Sequence, residues 1–193
     1  MITCSVCGQQ NDDLAVLCAS CRGYLQSKVD NLDLFKTVWQ LIENPKGAFK
    51  RIVLARHKNY AVVLSSLLGI SAAFGVCWLM NLGNQFENLL VLVGVAVLLG
   101  IPLGIVVVLL LSVVIRSGVR LLGGRASLRD CGAVVAYAGV PLVVSLVAVL
   151  PLEIAIFGID FFGTNPPPLI INPLAYMGLL GFDALAALWS VVL

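Results

Sequence analysis

The most constraining feature of this chain is the absence of positive charge from two long stretches. No Lys or Arg occurs at 59–115 or at 130–193, and all twelve basic residues fall within 22–58 or 116–129. Compact basic segments between long apolar stretches are typical of polytopic membrane proteins, whose basic loops face the cytoplasm. The chain is also 60% hydrophobic and 11% charged, whereas soluble domains average about 45–50% and about 25%. These values exclude a soluble domain and a disordered chain, and they predict an all-α polytopic membrane protein.

Four apolar segments are long enough to cross the hydrocarbon core, for which about 20 helical residues suffice. They cover about 60–80, 89–115, 131–157 and 174–193. Two spans therefore separate the two basic segments, so that both basic segments face the cytoplasm. The fourth segment ends without the Lys or Arg that usually marks a cytoplasmic helix end, and we expect the natural chain to continue beyond Leu193.

A cysteine pattern at the start of the chain predicts a metal site. The C-x-x-C pairs at 4–7 and 18–21 are separated by ten residues, and Gly8 and Gly23 follow them. Two such pairs on a short hairpin offer four thiolates to one tetrahedral structural zinc ion, which would supply most of the folding energy of a zinc-ribbon head at 1–25. A pair of redox dithiols or a metal-free loop is the alternative, although no thioredoxin-like pattern surrounds the cysteines. The candidate zinc ligands are Cys4, Cys7, Cys18 and Cys21.

Residues 26–59 connect this head to the first span and predict two amphipathic helices. Asn44 and Pro45 are typical of the start of the second helix, as N-cap and first helical residue. A basic amphipathic segment before a span is expected to lie in the membrane interface and to favour anionic lipid; packing on the cytoplasmic ends of the spans is the alternative. Binding of nucleic acid is not expected, because the basic residues are tied to the membrane. The candidate lipid-contacting residues are Lys46, Lys50, Arg51, Arg56 and Lys58.

Three short motifs resemble a known family. They are Asn44–Ile52 (NPKGAFKRI) before the first span, Gly123–Arg129 (GGRASLR) in the connector, and Ala136–Pro141 (AYAGVP) in the third span. They are similar to motifs of the Yip domain family, the Ypt/Rab-interacting multi-spanning proteins, and the resemblance covers about 35–193. It implies a Yip-like transmembrane domain at 60–193, in a family that typically has five spans.

The resemblance also implies a place in the cell and a kind of partner. A zinc ribbon ahead of such a domain is similar to the prokaryotic branch, which implies the cytoplasmic (inner) membrane with the N-terminal head in the cytoplasm. Eukaryotic members act in vesicle trafficking with small GTPases. Some prokaryotic members occur with ABC-type efflux systems of the MacB-like kind, which implies an accessory or regulatory subunit.

Two function classes follow. The first is a non-enzymatic membrane adaptor or accessory subunit, whose zinc head docks a protein and whose spans contact lipid, another membrane protein (such as an ABC transporter subunit) or a second copy. The second is a transporter or channel for a small molecule or ion, because Asp183 is an ionisable residue midway along the fourth span. An enzyme is not expected: the single histidine, His57, lies in the basic segment, and a hydrolase would need a second acid near Asp183, whereas Glu153 is expected near the outer surface.

Overall fold

The computed structural model describes residues 1–12, 15–25, 31–55 and 57–193. It begins with two short strands, β1 (Ile2–Thr3) and β2 (Gln10–Asn11), which pair in antiparallel register. Two 3-10 turns cover Leu82–Asn84 and Gly158–Phe162. The helices of the described residues are α1 (Leu34–Glu43), α2 (Pro45–Leu54), α3 (Ala61–Leu79), α4 (Leu89–Leu121), α5 (Leu128–Ala138), α6 (Val140–Ala148), α7 (Leu150–Phe157), α8 (Pro168–Ile171) and α9 (Pro173–Val192).

Four helical segments are long and apolar enough to cross a membrane. They are Ala61–Leu79, Leu89–Leu121, Leu128–Phe162 and Pro173–Val192. The predicted fold class is therefore confirmed: the protein is mostly helical, with four candidate spans and a small N-terminal hairpin that carries four cysteines. Helices satisfy their own backbone hydrogen bonds, which is why they form wherever the chain meets hydrocarbon.

The second span continues well past the apolar run. Helix α4 extends to Leu121, and its 33 residues give a length of about 50 Å, against about 30 Å of hydrocarbon. The helix ends where Gly123 adopts φ +78°, and the N–H of Gly124 bonds to the carbonyl of Val119 at 2.8 Å. This is a glycine C-cap. The connector between the second and third spans is consequently short, because the basic Arg116 and Arg120 belong to the helix.

The third span is assembled from three helices in series. The α-helical pattern is interrupted at Gly139 and at Val149, each of which lies two residues before a proline. Pro141 and Pro151 have no N–H to donate and are tolerated in the first turn of α6 and α7. The prolines therefore divide the span without ending it.

The amphipathic segment folds as predicted in its second helix. The Asn44 side chain accepts a hydrogen bond from the N–H of Gly47 at 3.0 Å, and Pro45 is the first residue of α2. This N-cap ends α1 and begins α2, so that the two helices pack on each other and bury Leu41 and Ile52.

The chain forms two compact units. Unit 1 comprises Met1–Ala61 and Val108–Tyr137, and unit 2 comprises Val62–Val107 and Ala138–Leu193. In unit 2, α6 packs along α9, and the two 3-10 turns lie against each other. The buried apolar cluster of unit 2 contains Ala73, Phe74, Cys77, Leu92, Ala96, Phe157, Phe161 and Phe162.

Candidate functional site

Four thiols converge in the N-terminal hairpin of unit 1. All four Sγ atoms lie within 4.8 Å of one another, and the Cys4–Cys21 and Cys7–Cys18 sulfur pairs are each 3.5 Å apart. A tetrahedral zinc ion with bonds of about 2.3 Å holds its sulfur ligands about 3.8 Å apart. The four predicted ligands, all of them free thiols, are therefore brought together with the spacing and the soft sulfur donors of a structural metal site.

The two cysteine pairs are held by equivalent backbone turns. Gly8 and Arg22 donate their N–H groups to the carbonyls of Cys4 and Cys18, each at 2.9 Å. Both have positive φ, +76° at Gly8 and +56° at Arg22. In the second turn, then, Arg22 takes the left-handed conformation that Gly8 takes in the first. Gly23 lies close to the cysteines, and a Cβ there would make a tight contact of 3.3 Å with the Cys21 sulfur.

The electrostatic environment shifts the pKa values of Cys7 and Cys18 in opposite directions. Hydrogen bonds from the backbone N–H of Cys21 and of Ser20, helped by Asn11 and Cys7, outweigh burial and lower the pKa of Cys18 from 9.0 to about 6. At Cys7 the backbone N–H of Gln9 favours the thiolate, but burial and the neighbouring cysteines outweigh it and raise the pKa from 9.0 to about 11. At neutral pH one thiolate is therefore ready for a metal, while Cys7 must lose a proton as the metal binds.

Asn11 supports the site from the second strand. This buried side chain accepts a hydrogen bond from the N–H of Ala19 at 2.9 Å and donates to the carbonyl of Gln9 at 2.8 Å. Its amide also approaches the Cys18 sulfur at 3.5 Å. Asn11 thus ties the first cysteine turn to the second and donates to a ligand sulfur, as outer residues of metal sites commonly do. Sequence reasoning missed it, since an isolated Asn in a hairpin has no distinctive pattern.

The five predicted lipid-contacting residues have different environments. Lys46 and Lys50 are exposed on α2. Arg51 is half-buried and donates to the side chain of Gln40 on α1 at 3.1 Å. Arg56 lies outside the described residues. Lys58 forms an ion pair within unit 1, and only 6% of its side chain is exposed.

Lys58 and its neighbour join the segment before the first span to the start of the third. The Lys58 ammonium donates to the carbonyls of Ile52 and Val53, each at 2.6 Å, and lies 3.0 Å from the Asp130 carboxylate. The next residue, Asn59, accepts a hydrogen bond on its carbonyl from the buried Tyr137 hydroxyl at 2.9 Å. Tyr137 is the tyrosine of the third motif, and these contacts explain what it does in the fold.

Asp183 lies beside a second carboxyl group in unit 2. Its carboxylate accepts a hydrogen bond from the Ser145 hydroxyl, and Glu153 lies close by on the wall of the same cavity. The expectation that Glu153 would lie near the outer surface, away from Asp183, was wrong. The third span runs on to Phe162, so Glu153 lies nine residues before its end. Asp183 lies ten residues after the start of α9. Both acids are therefore about 13–15 Å from the loop that joins the two helices. We call Glu153 and Asp183 the carboxyl pair.

The carboxyl pair lines a cavity of about 430 Å³. Glu153 is 2% exposed, and its Oε1 atom has no hydrogen-bond partner. The remaining wall is almost entirely apolar, with Ser71 and Ser145 as its other polar side chains. The aromatic residues of the wall are Phe74, Trp78, Phe161 and Phe162.

Glycines in α3 and α4 serve a close helix crossing within unit 2. A Cβ added to Gly69 would lie 2.1 Å from the carbonyl oxygen of Gly100, and one added to Gly104 would lie 2.1 Å from that of Ser65. By contrast, a Cβ at Gly75 would have no atom within 4 Å. Gly69 therefore serves the packing of α3 on α4 inside the protein.

Comparison with known proteins identifies one family. No curated protein and no solved structure matches this chain. The Yip1 domain matches it over residues 39–193, a range that includes all three motifs and all four candidate spans. Because this match covers most of the chain, the protein belongs to the Yip1 domain family of multi-span membrane proteins.

Proposed function

We propose that this protein is a non-enzymatic membrane adaptor or accessory subunit whose zinc-ribbon head docks a second protein. Yip1 family membrane proteins are generally non-enzymatic. The observation that carries the proposal is the cluster of four thiols at tetrahedral spacing, because four protein ligands leave no open position for a substrate and suit a metal that holds a fold together. The proposed layout is a head at 1–25, an interfacial segment at 26–59 and a membrane domain at 60–193.

Zinc is the metal that we propose for the head. Four thiolates favour zinc, and a cytoplasmic head lies in a compartment where disulfides are disfavoured. Metal analysis of the purified chain is expected to give about one zinc ion per chain. Cys4→Ser should abolish zinc binding, whereas Cys77→Ser, a buried lone cysteine in α3, serves as the matched control. A zinc content near zero in the unaltered protein would contradict this account of the head.

The head exposes an apolar surface suited to a protein partner. Val16, Leu17 and Tyr24 are 55%, 48% and 57% exposed, and Leu17 pairs with Tyr24 in a short bridge. Apolar side chains that are left open on such a small head favour an interaction site. We propose that this surface docks a subunit of an ABC-type, MacB-like exporter or another membrane protein of the same cell.

Mild-detergent purification with mass spectrometry tests the docking. We expect a stoichiometric partner to co-purify with the unaltered chain and to be lost with the double variant Val16→Ser and Leu17→Ser. Zinc content should remain at one ion per chain in that variant, which separates loss of docking from loss of folding. Recovery of the same partner with the double variant, or of no partner with either chain, would contradict the adaptor function.

The interfacial segment is suited to anionic lipid. On α1, Phe35, Trp39 and Ile42 recur every three or four residues and are 84%, 62% and 53% exposed. An exposed apolar stripe on α1, followed in the chain by the exposed Lys46 and Lys50 of α2, favours a position in the headgroup region. Lipid mass spectrometry should find less co-purifying anionic phospholipid when both lysines are replaced by serine. An unchanged lipid content would oppose this position.

We propose that the head and both basic segments face the cytoplasm of a prokaryotic cell, with the spans in its cytoplasmic membrane. The support is the confinement of every Lys and Arg to two segments. Reporter fusions at Met1 and within 81–88 are expected to give opposite orientations, cytoplasmic and external respectively. The same side for both fusions would overturn the topology.

Helix α9 offers a surface for a partner within the membrane. None of its residues is buried, and a Cβ at Gly178 or Gly181 would meet open space. Small residues that are not used inside the protein allow another helix to approach closely. This surface suits either self-association or contact with another membrane protein.

Transport of a small molecule or ion is a second candidate function, and the carboxyl pair favours it. Intramembrane acids commonly mark ion or substrate pathways, and Glu153 and Asp183 line the same cavity. Flux into proteoliposomes that is abolished by Asp183→Asn would support transport and replace the adaptor function. Equal flux with the unaltered protein and with Asp183→Asn would oppose transport through the carboxyl pair.

A further inference from the structure

The carboxyl pair has no positive partner within unit 2. Residues 62–107 and 138–193 contain no Lys, Arg or His. Two carboxyl groups side by side in an apolar environment must be neutralised, since an uncompensated buried charge is very unfavourable. The neutralising species must therefore be protons or a cation that enters from outside the unit.

Glu153 indicates that something binds in the cavity. Its carboxyl group is almost completely buried, Oε1 makes no hydrogen bond, and Glu153 is one of the residues that line the cavity of about 430 Å³. Buried polar atoms nearly always have a partner, so an unpaired carboxyl oxygen at a cavity wall is a vacant acceptor for a donor group. Ser145 occupies one oxygen of Asp183 but does not reach this atom.

The shape and composition of the cavity select an organic cation over a metal ion. Hard metal ions are held by cages of oxygen ligands, whereas most of this wall is apolar and its carboxyl and hydroxyl groups are those of the carboxyl pair, Ser71 and Ser145. The cavity is also much larger than the roughly 30 Å³ that one water molecule occupies. Its wall includes Phe74 and Trp78, and aromatic rings attract ammonium groups while also covering an apolar body.

We propose that this cavity binds an organic ammonium ion with an apolar body. The ammonium donates to the carboxyl pair, including Oε1 of Glu153, and the apolar body lies against the aromatic wall. This inference rests on the same two acids as the second candidate function and names what they bind, but it is tested by binding and does not require flux. A free lipophilic amine and the amino headgroup of a phospholipid such as phosphatidylethanolamine share this chemistry.

Equilibrium binding of radiolabelled octylammonium tests the proposal. The full chain is placed in nanodiscs of phosphatidylglycerol, and binding to empty nanodiscs is subtracted. We expect saturable binding that unlabelled octylammonium displaces and that octanol, the neutral analogue, does not. Addition of phosphatidylethanolamine to the nanodiscs distinguishes the sources: displacement of the probe assigns the site to a lipid amine, and unchanged binding assigns it to a free amine.

Two variants remove different parts of the site. The double variant Glu153→Gln and Asp183→Asn removes the charges, and we expect binding to weaken about 10- to 100-fold. Gly75→Leu fills the cavity and leaves the carboxyl pair intact, because Gly75 lines the cavity and a Cβ there meets no atom within 4 Å. It should abolish binding. Glu87→Gln is the matched control, since Glu87 is an exposed acid of the same unit that does not line the cavity.

Folding of each variant is checked by its elution as a single species and by its zinc content. If the double variant does not fold, Glu153→Gln alone replaces it, since Oε1 of Glu153 has no internal hydrogen bond to lose. Wild-type affinity in either site variant overturns the proposal. Equal displacement by octanol, or the absence of saturable binding to the unaltered chain, also overturns it.

Discussion

The crossing of α3 and α4 makes a sharp prediction about stability. In Gly69→Ala the new Cβ would lie 2.1 Å from the carbonyl oxygen of Gly100 and 2.3 Å from the amide nitrogen of Gly104. Both neighbours are backbone atoms, so no side-chain rotation can relieve the contact. The two helices must move apart, which weakens packing along the whole crossing.

The magnitude follows from two opposing effects. Alanine is better than glycine inside a helix by about 1 kcal/mol, whereas overpacking costs about 1–3 kcal/mol and occasionally more. A contact with two backbone atoms belongs at the upper end of that range, so we expect a net loss of about 2 kcal/mol in the free energy of unfolding. Gly75→Ala lies in the same helix and gains the same helix propensity, but its new Cβ has no atom within 4 Å. It should be neutral or stabilise the protein by up to about 1 kcal/mol.

Thermal unfolding in one detergent, followed by circular dichroism, measures both variants. For a chain of this size, 1 kcal/mol corresponds to a shift of about 2–4 °C. The Tm of Gly69→Ala should therefore fall by about 4–8 °C, and that of Gly75→Ala should stay level or rise. A Tm for Gly69→Ala at or above that of the unaltered protein would refute the close crossing of α3 and α4.

Three further outcomes are expected in unit 1. Lys58→Met should lower the free energy of unfolding by about 3 kcal/mol, because Asp130 loses its ion pair; Asp130→Asn should lower it less, because Lys58 keeps two carbonyl acceptors. If the effects of Lys58→Met and Asp130→Asn on thermal unfolding simply add in the double variant, the two side chains are not coupled and the ion pair is contradicted. Asn11→Ala should weaken zinc binding about tenfold or more in chelator competition, and an unchanged affinity would remove its supporting role. Zinc affinity should fall as the pH falls, because binding displaces a proton from Cys7, whose pKa is about 11. The fall should steepen below about pH 6, where Cys18, with a pKa of about 6, also becomes protonated; a flat profile between pH 5 and 8 would contradict these directions.

Much of the fold could be predicted because lipid imposes simple rules on sequence. A segment that spans hydrocarbon must be apolar, helical and about 20 residues long, so the four spans can be found by inspection. The residues at which the spans end were harder to predict. Helix α4 runs on to Leu121 because no residue ends it until Gly123 adopts a left-handed conformation. Apolarity indicates where a helix lies in the membrane, but the local backbone decides where it stops.

The candidate sites differ in how far the sequence could reveal them. The four cysteines of the N-terminal cluster lie close together in the chain with a spacing that few other structures require, so their convergence could be predicted. Glu153 and Asp183 are thirty residues apart, on helices whose lengths and packing decide whether the two acids meet. A third span that ends at about 157 places Glu153 near its outer end and Asp183 midway along the fourth span, so the two acids were predicted to lie apart.

The sequence by itself determined the membrane class, the four spans and the cysteine cluster, because each depends on composition or on short-range spacing. Tertiary structure alone decided which charged groups are paired. It pairs Lys58 with Asp130 within unit 1, and it places Glu153 beside Asp183 in unit 2, which contains no basic residue. The physical reason is that pairing depends on distances between side chains from separate helices, and these distances follow from packing. A charge pattern shows how many charges a chain carries, whereas their neighbours decide what those charges do.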